Sequence, residues 1–121
     1  MSIDNLFRQL KDIQFQADKL LKSEKIEEEA IRKFANYSNE LKSNLIDLDL
    51  NEELLLHVND IEEINTELNP SPPMVTALMS ALSFGAANKS YRRKKREAYF
   101  RENVKNIKER YVYIDLLLKE I

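Results

Sequence analysis

The sequence contains no cysteine, a single glycine, Gly85, and three prolines that all fall between positions 70 and 73. The absence of cysteine excludes disulfides, thiolate catalysis and cysteine-based zinc or iron–sulfur sites. Sheet proteins need frequent turns between strands, and tight turns depend on glycine or proline chemistry. Because long stretches of this chain contain neither residue, the sequence predicts an all-α protein.

The sequence also lacks an apolar run long enough to cross a membrane. The stretch Met74–Ala87 carries no charged residue, and Pro73 extends its apolar part to fifteen residues, three of which are Thr or Ser. A spanning helix needs about 20 apolar residues. We therefore predict a buried core helix here, with an oligomer interface and membrane insertion as alternatives. Since the first residues lack the basic and apolar regions of a secretory signal, we expect a cytoplasmic protein.

Apolar residues recur at helical spacing along most of the 121 residues. Steps of three and four predict apolar stripes over Ile3–Leu20, Ile26–Leu48, Leu50–Leu68 and Phe100–Ile121. A chain of this length fits one domain with a core of its own. The sequence therefore predicts a single domain over residues 1–121, folded as an antiparallel bundle of four to five helices.

Cap and breaker residues predict where these helices end. A reverse turn is expected near Lys22–Lys25, with Ser23 capping the second helix, although one continuous helix remains the alternative because no glycine or proline lies there. Asp49 is expected to cap the third helix, which stops at the proline-rich segment 69–73. Between Gly85 and Ser90 we expect a kink or a full break.

Charge is distributed very unevenly, although the net charge is only −2. Residues 1–70 hold 8 basic and 16 acidic side chains, whereas residues 71–121 hold 11 basic and 5 acidic ones. Such asymmetry gives information about partners rather than about the fold. One explanation is that the acidic third helix lies beside the basic last helix within the bundle.

The run Arg92–Arg96 holds five adjacent cations and covers more than one helical turn. One acidic neighbour cannot face all of them, so the run predicts an anionic partner, with nucleic acid favoured over an acidic protein surface. Interleaved aromatic residues supply stacking faces. If the source is eukaryotic, the run also fits nuclear localisation. The alternative to an anionic partner is that the run is only the solvent-exposed start of a helix. The candidate anion-binding residues are Lys89, Tyr91, Arg92, Arg93, Lys94, Lys95, Arg96, Tyr99 and Arg101.

A second hypothesis is a homo-oligomeric structural, regulatory or inhibitor protein that acts through helix–helix contacts. Small residues four apart allow another helix to approach closely, and the last apolar stripe is very regular. The candidate interface residues are Ala77, Ala81, Gly85, Val104, Ile107 and Tyr111. A third hypothesis is association with a membrane surface through residues 74–96.

Catalytic and metal-binding signatures are missing from the sequence. It has no glycine-rich phosphate loop and no nucleophile elbow. Its one histidine, His57, sits in an aliphatic stripe, so we predict a packed, hydrogen-bonded core residue rather than a ligand. We therefore expect a non-enzymatic binding protein without a metal, a cofactor or a small-molecule substrate.

Overall fold

A computed structural model describes residues 3–66 and 86–120. It contains four helices, α1 (Ile3–Lys22), α2 (Glu28–Ile46), α3 (Glu52–Asn59) and α4 (Ala86–Lys119). The described ranges contain no β-strand, which confirms the prediction of an all-α bundle. The predicted helix over residues 72–87 and the proline-rich connector lie largely outside the described residues.

The long helix α4 is the element around which the others pack. It contacts both α1 and α3, and α2 in turn contacts α1 and α3. Helices α1 and α4 are antiparallel, because Asp18 pairs with Lys108 whereas Gln14 reaches Asp115 at 3.3 Å. This arrangement brings the C-terminal end of α1 near the middle of α4 and leaves the first turns of α4 beyond that end.

The predicted apolar stripes form the core. On α1 the residues at heptad-like spacing, Leu6, Leu10, Ile13 and Ala17, are all buried. The α4 stripe is buried from Phe100 to Ile114, so the spacing of three and four residues is confirmed in both helices. The remaining core residues come from α2, α3 and the segments that adjoin them: Ile26, Ile31, Phe34, Ala35, Leu41, Leu45, Leu54, Val58 and Ile61.

This burial corrects part of the predicted oligomer interface. Val104 and Tyr111 are completely buried within a single chain, and Ile107 is 2% exposed. They face α1, α2 and α3 because these helices need the same stripe to complete their own core. A second copy therefore cannot contact them while this fold is intact. Ala77, Ala81 and Gly85 lie outside the described residues.

The turn between α1 and α2 is confirmed at its predicted place, but Ser23 does not cap α2. Its hydroxyl donates to the Leu20 carbonyl at 2.6 Å, and Glu27 occupies the N-cap without a side-chain hydrogen bond. One carbonyl in the last turn of α1 and two in the α1–α2 turn are instead bound from α4. Arg101 donates to the carbonyl oxygens of Leu21, Ser23 and Glu24 at 2.7–3.1 Å. These three hydrogen bonds from Arg101 stabilise a turn that contains neither glycine nor proline.

The third helix is shorter than predicted and ends at Asn59. Three side chains from other helices bind the backbone of the segment that follows. Lys42 donates to the Ile61 carbonyl at 2.9 Å and Arg96 donates to the Thr66 carbonyl at 2.8 Å. The Asn65 amide donates to the Tyr99 hydroxyl at 2.9 Å. These bonds satisfy backbone groups of residues 61–66 without a helix.

The cap of α3 also differs from the predicted one. Asn51 occupies the N-cap, and its side-chain oxygen accepts a hydrogen bond from the Leu54 amide at 2.9 Å. Asp49 lies two residues before it. Both side chains are able to cap a helix, so the sequence alone did not distinguish them.

We expect Asn51→Ala to lower the free energy of unfolding by about 1 kcal/mol, because a helix donor loses its partner. Asn51→Ser, which can still cap, should restore most of this stability. The matched control is Asp49→Ala, which should leave the unfolding midpoint in urea nearly unchanged. A larger loss from Asp49→Ala than from Asn51→Ala would show that the cap is assigned to the wrong residue.

Candidate nucleic-acid interface

The basic run at the start of α4 is exposed over four consecutive residues. Arg92, Arg93, Lys94 and Lys95 all have exposed side chains. In the part of the chain that the structure describes, none of the four pairs with a carboxylate. Since four residues exceed one helical turn, their charges point all round the helix axis. The result is an exposed cationic segment of α4 that forms no ion pair with the described residues, although Glu24, Glu27, Glu28 and Glu97 line the depressions that Arg93 borders.

The fifth residue of the run has a different environment. Arg96 is half-buried, and its guanidinium reaches Glu28 at 3.1 Å as well as the Thr66 carbonyl. The same group lies 5.3 Å from the centre of the Phe100 ring. These contacts join α4 to α2 and to the segment after α3. Arg96 therefore has a role in the fold that the run of charges did not reveal.

Arg101 likewise binds other parts of this chain. Besides the three backbone carbonyls at the end of α1, it pairs with Glu97 at 2.9 Å. Glu97 in turn accepts a hydrogen bond from the Ile26 amide at 3.0 Å. Arg96 and Arg101 were both predicted as anion contacts. Both are half-buried and pair with carboxylates of this chain, whereas Arg92–Lys95 are exposed.

The two aromatic candidates also differ from each other. Tyr91 is half-buried, and the Lys95 ammonium lies 5.8 Å from the centre of its ring. Tyr99 binds the Asn65 amide through its hydroxyl, and its ring packs 5.7 Å from the Phe100 ring. Tyr99 is therefore held within the fold, whereas Tyr91 belongs to the basic segment. Lys89 lies in the first turns of α4.

A further cation adjoins this segment, and sequence reasoning missed it. Lys25, in the α1–α2 turn, lines a shallow depression together with Arg93, Lys94 and Glu97. The sequence alone does not indicate this neighbour, because Lys25 belongs to the acidic half and comes close to Arg93 only through the antiparallel packing of α1 on α4.

Helix α3 does not neutralise the exposed cations, although it packs against α4. Its buried residues, Leu54 and Val58, belong to the same core as the stripe Phe100–Ile114. His57 is half-buried, its Nδ1 lies 3.1 Å from Arg110, and its ring packs edge-on at 4.6 Å against Tyr113. The hydrogen bond predicted for His57 is therefore present, but the residue is only partly buried. Arg110 and Tyr113, which contact His57, lie several turns C-terminal to Lys95 on α4.

Two tyrosines have strongly raised pKa values, and both are explained by packing. Burial raises the pKa of Tyr111 to about 12, while its bond to Ser38 acts weakly in the opposite direction. Burial also raises the pKa of Tyr37 to about 12, with added contributions from the Asp12 carboxylate and from Glu40. Both phenols are neutral at physiological pH, so these shifts indicate structural roles.

Within residues 3–66 and 86–120, no group of three or more His, Asp or Glu side chains is placed to hold a metal ion. None of the helices there has both the length and the apolar character of a membrane-crossing segment.

Comparison with protein-family models, with curated proteins and with solved structures finds no match for this chain. Its function must therefore be argued from the surface of the molecule. The exposed cations of α4 are the strongest feature of that surface.

Proposed function

We propose that the protein is a non-enzymatic binding protein that contacts nucleic acid through the start of α4. The observation that supports this most directly is the exposure of Arg92–Lys95 without a carboxylate partner among the described residues. Tyr91 provides an adjacent aromatic ring. Arg96 and Arg101 keep this segment in place through their contacts with Glu28 and the α1–α2 turn.

The physical basis is the release of condensed counterions. A phosphate backbone carries closely spaced negative charges, and each cation that neutralises one phosphate sets a counterion free. Phosphates of both strands flank a duplex groove, so a helix that lies in the groove can direct cations to either side, whereas one acidic patch on a protein faces a single side. Mutual repulsion among the four cations is also relieved by the phosphates of a duplex.

The first test is the binding of a fluorescently labelled duplex of 20 base pairs, measured by anisotropy at two salt concentrations. With four phosphate contacts, affinity should fall about 150-fold between 50 mM and 200 mM salt. A poly-glutamate peptide should compete only weakly. The proposal is refuted if neither the duplex nor the corresponding single strand binds at 50 mM salt, or if only the peptide or anionic lipid vesicles bind.

A further inference from the structure

The outer face of α1 carries a line of four cations with an aromatic residue at its centre. Counted from position 8, the residues follow at steps of three, four, four and three, which places them on one helix face. All five side chains are exposed. At 1.5 Å per residue the line is about 21 Å long. The five residues, here called the α1 stripe, are Arg8, Lys11, Phe15, Lys19 and Lys22.

The cations of the α1 stripe are not paired with carboxylates of the described residues. The acidic residues of α1 are Asp4, Asp12 and Asp18, and Asp18 pairs with Lys108. Asp12 lies next to Lys11 and one turn after Arg8. It accepts a hydrogen bond from Gln16 at 3.2 Å and another from the Tyr37 hydroxyl. Its bonds are thus made to neutral groups, and the α1 stripe keeps an excess of positive charge.

Phe15 is the exposed aromatic residue within this positive surface. Its side chain is 68% exposed because the apolar face of α1, which includes Leu10 and Ile13, points to the core on the other side. Lys11 and Lys19 lie one turn before it and one turn after it. A stacking face flanked by cations is the combination with which proteins hold unpaired bases.

The α1 stripe continues towards the basic segment of α4. Lys19 and Lys25 line one depression at the end of α1. Lys25 also lines the neighbouring depression, to which Arg93 and Lys94 contribute. Positive side chains therefore occur from α1 through the α1–α2 turn to α4, interspersed with Glu24, Glu27 and Glu97, which line the same depressions.

We infer that this surface binds a single-stranded nucleic acid whose backbone follows the cations and one of whose bases stacks on Phe15. The inference rests on the proposed function and specifies its ligand. Bases of a duplex stack on one another and leave no face free, so an aromatic residue on a convex helix favours single strands. A membrane is a poorer fit, because interfacial binding needs a broad apolar helix face and that face of α1 is buried.

The test compares a labelled single strand of 15 nucleotides with the corresponding duplex, using the full chain. Phe15→Ala should weaken single-strand binding about tenfold and change duplex binding less than twofold. Phe15→Tyr keeps a stacking face and should bind like the original chain. The matched control is Leu56→Ala, which removes a comparably exposed (66%) apolar side chain on α3 and should change neither affinity.

The cations of the α1 stripe are tested by their salt dependence. Replacing Lys11 and Lys19 by glutamine should reduce the single-strand slope of log Kobs against log salt by about 1.4, or 0.7 for each lost phosphate contact. The substitutions at Phe15, Lys11 and Lys19 alter exposed side chains only. Urea unfolding should therefore show the same stability for these variants as for the original chain.

The outcomes separate this inference from the proposed function. If single strands bind but Phe15→Ala binds as tightly as the original chain, the inference is wrong and the proposed function stands. If neither oligonucleotide binds at 50 mM salt, both are wrong. If Phe15→Ala loses binding only to vesicles of anionic phospholipid, Phe15 contacts lipid and the inference is overturned.

Discussion

Replacing Arg92, Arg93, Lys94 and Lys95 together by glutamine is expected to weaken duplex binding at 50 mM salt by at least about a hundredfold, because four phosphate contacts are lost. The four side chains are exposed, and the contact between the Lys95 ammonium and the Tyr91 ring lies on the surface. The variant should therefore remain folded. Anisotropy with the labelled duplex measures the affinity, and circular dichroism checks the helical content.

A charge-matched variant separates local contacts from net charge. It replaces four cations outside the basic segment and the α1 stripe by glutamine, so both variants lose four positive charges from a chain of net charge −2. Its effect on duplex affinity should be less than about tenfold, because it leaves Arg92–Lys95 in place and acts on the duplex through the long-range field. Three of its cations pair with Glu28, Glu29 and Asp115, so circular dichroism checks that this variant also remains folded. Equal losses in the two variants would contradict a specific role for the start of α4. The four control positions are Arg32, Lys33, Lys105 and Lys119.

Tyr111→Ala is expected to lower the free energy of unfolding by about 4 kcal/mol, within the range for removing a large buried ring. Tyr111 is completely buried, and its hydroxyl donates to the Ser38 carbonyl at 2.8 Å while lying 3.1 Å from the Ser38 hydroxyl. The residue thus joins α4 to α2 through both packing and hydrogen bonding. A loss of this size is a large part of the stability of a typical domain.

Urea unfolding followed by circular dichroism measures this loss. Tyr113→Ala is the control. Tyr113 lies two residues further along α4 and is 44% exposed, so its replacement should lower the free energy of unfolding by less than about 1 kcal/mol. Tyr111→Phe should fall between them, at about 1–2 kcal/mol, because the Ser38 carbonyl loses its donor while the ring remains. If Tyr111→Ala and Tyr113→Ala have equal effects, Tyr111 is not a core residue.

The helices and their buried faces could be predicted because they depend on local spacing. The apolar residues of α1, which include Leu10 and Ile13, and those of α4 around Val104 recur at three and four residues, and only a helix brings such residues to one side. The end of α3 could not be predicted in this way. It depends on Lys42 and Arg96, which reach the backbone of residues 61–66 from distant parts of the sequence.

The candidate site shows the same division between local and distant information. The run of cations is visible in the sequence, yet residue type alone does not distinguish Arg92 from Arg101. Only the packing of α1 against α4 shows that Arg101 binds backbone carbonyls at the end of α1. The α1 stripe cannot be recognised from the summed charge of residues 1–70, because the 16 acidic residues there outnumber the basic ones, four of which form the stripe.

The most direct test of the proposed interface is the slope of log Kobs against log salt for the duplex, measured for the original chain and for the variant lacking the four cations at 92–95. We predict that the slope of the original chain is steeper by about 3.6, which corresponds to 0.9 for each phosphate contact. Identical slopes for the two proteins would show that these side chains do not touch the phosphate backbone.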